Sequence, residues 1–348
     1  MTDRMAGLVK EKACPGDFVY RTDLPVPEIK EDEVLIKVYC TAVCGTDMHM
    51  MEWDRWSRLR VRPPLIPGHE TTGVIVKTGS AVTERSVGDR VSCETHVPCG
   101  ECWFCRNGMP HICSNVRLFG VMEDGAFAEY TKIRWDSTFV LDDDIPFEMA
   151  CLFEPLGAGV HGVESADVSG KTVLVSGCGP IGLTAVSASK VFGARRVIAC
   201  DLVVERLETA LAMGADCVIN SSEQDVSEEV KKLTGGLGAD AAIDITGAGA
   251  AIRSALQSLR AGGRLVCVGL PTSEVSLDLA NDLIYREIEL TGISGRLIWD
   301  TWEDFAKVMK SPYFKQDLLT GGSYELRDFD KAVAAIRSGV PGKMLIYP

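Results

Sequence analysis

The 348-residue sequence has no apolar run near the ~18–20 residues that a helix needs to cross a bilayer, so no membrane partner is expected. Basic charge is in deficit: 36 Lys and Arg stand against 49 Asp and Glu, a net charge of -13. That balance excludes the basic face on which nucleic-acid binding depends. The segment from Met1 to Lys12 carries charges of both signs and lacks the apolar stretch of a secretory signal. Internal repeats, low-complexity tracts and long linkers are missing as well. What remains is a chain of ordinary globular composition, 46% hydrophobic and 24% charged, long enough for two domains and expected to be cytoplasmic.

Cysteine is abundant, with 13 in the chain. A disulfide-stapled secreted protein is usually smaller and carries a signal. Here Cys99, Cys102, Cys105 and Cys113 crowd together, whereas Cys178, Cys200 and Cys267 lie in apolar or Gly-rich strand-like surroundings. Clustering points to a metal, and scattered cysteines serve as small core residues.

The first part of the chain reads as β-rich, with short apolar or alternating runs (Val34–Val38, Gly73–Val76, Arg90–Cys93) between Gly, Pro and Asp turns. From about Gly170 strands alternate with helical patterns: Lys171–Ser176, helix Pro180–Phe192, Arg196–Cys200, helix Val203–Met213, Cys217–Ile219, Ala241–Ile245, helix Ala250–Leu259 and Arg264–Val268. Such β-α-β alternation predicts a doubly wound parallel sheet. Helices are expected again near Thr301–Met309 and Phe329–Arg337, and the Glu223–Lys232 charge run reads as a solvated helix face. The expected organisation is α/β: a β-rich catalytic domain at 1–156, a Rossmann domain at 157–295 and a return to the catalytic domain at 296–348.

The spacing C-x2-C-x2-C-x7-C of Cys99, Cys102, Cys105 and Cys113 suits four thiolates about 2.3 Å from one structural Zn²⁺. Bacterial ferredoxin clusters space their fourth cysteine differently, and no second cluster motif is present. A catalytic zinc takes about three protein ligands and keeps one position open. Cys44 and His69 suit that role, with Glu70 or Glu154 as the third ligand. Lewis-acid activation of a bound hydroxyl would then let an alcohol lose hydride, while Thr46 and His49 carry the released proton to solvent.

Gly177-Cys178-Gly179-Pro180-Ile181-Gly182 fits G-x-G-x-x-G between an apolar strand and a helix, the setting that gives this motif its meaning. Its glycines let backbone N–H groups approach a pyrophosphate at the helix N-terminus. Asp201 ends the next strand, where a carboxylate binds ribose hydroxyls and favours NAD over NADP; Arg206 nearby could instead accommodate a 2′-phosphate.

Beyond these motifs, the chain resembles the medium-chain zinc alcohol dehydrogenases over essentially its whole length. The closest stretches are TAVCGTDM at Thr41–Met48, WDRWS at Trp53–Ser57, PGHE at Pro67–Glu70, ETHVPCGECWFC at Glu94–Cys105, GAFAEY at Gly125–Tyr130, EPLG at Glu154–Gly157 and GISGRLIWDTW at Gly292–Trp302. The resemblance implies a GroES-like catalytic domain, an NAD-binding Rossmann domain and a cleft between them. It implies Cys44, His69 and Glu70 on the catalytic zinc, with Glu154 as alternate ligand or substrate-facing carboxylate. It also implies proton relay by Thr46 and His49, a substrate-pocket role for His96, a cofactor-side role for Arg296, and a homotetramer. WDRWS and ETH match the members that oxidise L-threonine to 2-amino-3-oxobutanoate. Two departures, Ala158-Gly159 after EPLG and Leu319-Thr320-Gly321-Gly322 before the last helix, keep a polyol, a diol or a related hydroxy acid as the alternative substrate.

Overall fold

The computed structural model describes residues 3–348. The chain divides into two compact units, Met1–Pro155 with Leu319–Pro348, and Leu156–Leu318. The sequence reading places the return to the first domain at 296, but residues 296–318 cluster with the second unit. The reason is packing: helix Asp300–Met309 buries Trp302, Phe305 and Val308 and lies against helix Pro180–Val191, and Ser187 donates to the carbonyl of Tyr313.

In the first unit a seven-stranded sheet runs in the order Thr320–Glu325, Lys343–Tyr347, Glu33–Ala42, Glu70–Thr78, Arg90–Cys93, Thr138–Val140, with Tyr130–Arg134 also paired to Glu33–Ala42. Val34, Ile36, Ile75, Val91 and Phe119 form a fully buried cluster, each contributing about 1.5–3 kcal/mol by leaving water. Register then sets the site. Ala42 pairs with Glu70 on one side and Leu345 on the other, so Glu70 and the start of the last strand flank the segment leading into Cys44. The short helix Gly45–Glu52 follows Cys44 directly.

In the second unit a six-stranded parallel sheet has the order Cys217–Asn220, Arg196–Asp201, Thr172–Ser176, Ala239–Asp244, Leu259–Cys267, Glu289–Gly292. Numbered along the chain this is 3-2-1-4-5-6, the Rossmann order, whose ligand crevice opens where the order reverses. All of Thr172–Ser176 is buried, as a strand covered on both faces requires. The expected strand Arg264–Val268 begins earlier, at Leu259, because Leu259 already pairs with Ala239. A register shift separates that pair from the regular ladder, which resumes at Arg264. Gly159, one of the two departures, sits in helix Phe153–Ala166 where a Cβ would lie 2.4 Å from the carbonyl oxygen of Ile181. Its place is a close helix–helix approach that alanine would obstruct.

Among the described residues, no helix is long and apolar enough to cross a membrane.

Candidate active site

The four clustered cysteines converge as their spacing predicts. Their sulfurs all lie within 4.8 Å of one another, with Cys102–Cys105 and Cys113–Cys99 at 3.5 Å and Cys102–Cys113 at 3.7 Å. Tetrahedral Zn–S bonds of about 2.3 Å require edges of about 3.8 Å, whereas a disulfide would need about 2.05 Å. Backbone N–H groups of Cys99, Cys102 and Asn115 donate to the sulfurs of Cys113, Cys99 and Cys113. The N–H of Cys105 draws the Cys102 thiol down to about 5, while burial pushes Cys105 up to about 12. The lobe fits one closed zinc site.

Cys44, His69 and Glu70 form a second group whose ligand atoms lie within 4.8 Å of one another. Glu70 is fully buried; its Oε1 accepts from Lys343 Nζ at 2.5 Å, and its Oε2 has no hydrogen-bond partner. His69 Nδ1 and Asp47 Oδ1 stand 3.8 Å apart, both buried and without a hydrogen bond. Burial alone would lower His69, yet the Cys44 and Asp47 charges beside it win and push it up to about 10. Burial raises Glu70 and Asp47, against the pull of Lys343 and His69. Soft sulfur, imidazole and a carboxylate with one oxygen lacking a hydrogen bond, gathered within 4.8 Å, fit a divalent zinc. Glu154 lies close enough to repel Glu70 but outside that trio, and its Oε1 accepts from Thr95 Oγ1 at 2.6 Å.

Thr46 Oγ1 lies 3.7 Å from Cys44 Sγ, and His49 follows one turn on in the same helix. His96 donates through its backbone N–H and Nδ1 to one oxygen of fully buried Glu94, at 2.8 and 3.0 Å. That pairing leaves Nε2 as the free ring nitrogen.

In the second unit a cavity of about 670 Å³ is lined by Gly177, Gly179, Asp201, Arg206, Thr246 and Ser254, among others. Gly177 has φ +94°, a backbone that favours glycine. A Cβ at Gly182 would fall 1.8 Å from the Gly177 carbonyl oxygen, whereas one at Gly179 would meet no protein atom. Gly177 and Gly182 shape the turn, and Gly179 leaves open space at the N-cap of helix Pro180–Val191, where Pro180 takes the first position and Ile181 the second. Asp201 accepts from the N–H groups of Cys178 and Val203 at 2.7 and 3.0 Å, with Arg206 3.8 Å away. Arg296 is 3% exposed and lies 5.9 Å from the Trp302 ring centroid, against Gly157. The pocket suits a dinucleotide.

Sequence reasoning assigned no role to Lys343, Glu94, Thr95, Asp47 or Asp54. Lys343 reaches Glu70 across 273 residues, a distance no local motif records. Asp47 sits inside the quoted CGTD and could have been read as a partner for a metal-binding histidine.

Residues 30–143 match the alcohol dehydrogenase GroES-like domain family, and residues 180–311 match the zinc-binding dehydrogenase family. L-threonine 3-dehydrogenase of Caldanaerobacter subterraneus subsp. tengcongensis is 40% identical over 350 residues, covering 100% of both chains. The enzyme of the same name from Pyrococcus abyssi is 39% identical over 99% of each. The solved structure of a zinc-binding dehydrogenase from Sinorhizobium meliloti 1021 bound to NADP shares a TM-score of 0.90 and 26% identity over 100% of both chains. The chain therefore belongs to the zinc-binding dehydrogenases, as a nicotinamide-dependent oxidoreductase of the medium-chain alcohol dehydrogenase family.

Proposed function

We propose that the protein oxidises L-threonine at its secondary hydroxyl with NAD⁺, giving 2-amino-3-oxobutanoate, NADH and a proton. The observation that carries the reading is the Cys44, His69 and Glu70 cluster, with one Glu70 oxygen held by Lys343 and the other unpartnered. Whole-length identity to relatives named for threonine oxidation supports the substrate.

When bound, zinc would supply Lewis acidity to the substrate hydroxyl, and the nicotinamide ring would accept hydride. Cys44, His69 and Glu70 would hold the metal, with Glu154 turned to Thr95. Thr46 takes the hydroxyl proton at Oγ1 and passes its own to His49, which releases it to water. His96, oriented by Glu94, contacts the polar end of the substrate. Gly177, Gly179, Pro180, Ile181 and Gly182 admit the pyrophosphate, Asp201 binds the adenosine ribose, and Arg206 and Arg296 flank the cofactor. Asp201 supports NAD over NADP, because its carboxylate repels a 2′-phosphate.

A second, structural zinc at the four-cysteine lobe, a cytoplasmic location and a homotetramer belong to the same proposal. Strand Glu289–Gly292 is a sheet edge, and the nearby Leu279, Ile284 and Tyr285 are exposed, which supports association.

Initial rates of NAD⁺ reduction across L-threonine, 2,3-diols and sugar alcohols test the substrate. Threonine is expected to give the highest kcat/KM. A diol or polyol turned over orders of magnitude faster would replace it.

A further inference from the structure

The WDRWS segment contributes a side chain to the relay that the motif reading leaves aside. Helix Gly45–Glu52 ends at Trp53, whose φ of 53° turns the chain back, and Asp54 becomes the N-cap of helix Arg55–Arg60. Asp54 divides its two oxygens. Oδ1 accepts from the backbone N–H and hydroxyl of Ser57 at 2.9 and 3.1 Å, and Oδ2 lies 2.8 Å from His49 Nδ1. The Ser57 N–H, the Ser57 hydroxyl and His49 together hold Asp54 below the usual carboxylate range. Asp54 therefore stays ionised and can only accept at Oδ2.

We propose that Asp54 is a positioning residue for the proton relay: it fixes the proton of His49 on Nδ1, leaving the Nε2 lone pair to take the proton that Thr46 delivers. This rests on the dehydrogenase reading above. An imidazole can act as a base only through the nitrogen that lacks a proton, and the partner of the other nitrogen selects which one that is. The Trp56 ring, 6.2 Å from the His49 ring, walls the imidazole on one side. Arg58 donates to the Trp53 carbonyl at 2.9 Å and fastens the turn that carries Asp54.

Asp54→Asn separates this role from helix capping. Asparagine caps helices as well as aspartate does. To keep its oxygen on the Ser57 N–H, it must present its NH₂ to His49 Nδ1, which then has to accept and carry the proton on Nε2 instead. Nitrogen-15 spectra of histidine-labelled full-length protein in alkaline buffer, with His49→Gln to assign the signal, read the tautomer directly. Wild type is expected to be Nδ1-protonated and Asp54→Asn Nε2-protonated. kcat is expected to fall about 10- to 100-fold while the KM values and the thermal midpoint stay near wild type. An Nε2-protonated His49 in wild type, or a tautomer change with kcat unaltered, would overturn the proposal. Should wild type oxidise none of the alcohols tested, the dehydrogenase reading fails, while the tautomer measurement still decides whether Asp54 sets the proton.

Discussion

Lys343 Nζ lies 2.5 Å from Glu70 Oε1, joining the last strand of the chain to the strand that carries the metal-facing carboxylate. Both side chains are withdrawn from water, at 13% and 0% exposure. Burial would lower Lys343, but Glu70, Cys44 and Glu154 hold it well above the usual lysine range. The lysine occupies one Glu70 oxygen and leaves the other without a hydrogen bond.

Breaking a buried pair from one side strands the other charge, at a cost of about 3–5 kcal/mol. Lys343→Met should therefore destabilise the metal-free protein by about that much in urea unfolding. Adding Glu70→Gln should recover most of the loss, because the stranded charge is gone. A double variant no more stable than Lys343→Met alone would show that the lysine matters through packing instead.

The four-cysteine lobe offers a separate reading of metal content. Removing one ligand from a closed site leaves it unable to hold its ion, whereas the Cys44 cluster is untouched. Elemental analysis of Cys102→Ser should give about one zinc per chain against about two in wild type. The thermal midpoint should fall as well, since metal-binding free energy contributes to folding. Unchanged zinc content in the variant would rule out a metal at this lobe.

These two sites differ in how far they could be read from the chain. The four cysteines lie within fifteen positions and the Gly177–Gly182 turn within six, so spacing alone carries their geometry. Parallel strands such as Thr172–Ser176 were equally open to reading, because burial on both faces gives them an unbroken apolar centre, here Val173–Val175. The Cys44, His69 and Glu70 group needs the antiparallel register that sets Ala42 opposite Glu70, which three separated letters do not encode. Lys343 was invisible for the same reason, as a charged residue at the start of an edge-near strand reads as solvated. The boundary at 296 failed because helix Asp300–Met309 is amphipathic, and a buried stripe does not say which sheet it will cover.

A pH effect on stability should come from Glu164, in the Leu156–Leu318 unit. Burial, with Asp304 and Asp300 adding to it and the Thr301 hydroxyl opposing, raises its pKa from 4.5 to about 7. Its Oε2 accepts from Thr301 Oγ1 at 3.0 Å, and that same hydroxyl oxygen accepts from the Leu297 N–H at 3.1 Å. Across the window from 4.5 to about 7 the folded chain keeps a proton that the unfolded chain has lost. The stabilisation is complete below that window and disappears as pH rises through about 7. Allowing for the side chain's partial exposure, the effect is about 1–2 kcal/mol. Glu164→Gln removes the titration, still accepts from Thr301 and presents an N–H to Asp304. It should unfold at higher urea than wild type near about pH 8 and match it near about pH 4, with the difference between the two proteins cancelling every other titrating group. A constant offset at both pH values would locate the effect in packing, and a wild type that is the more stable at the higher pH would refute a protonated Glu164.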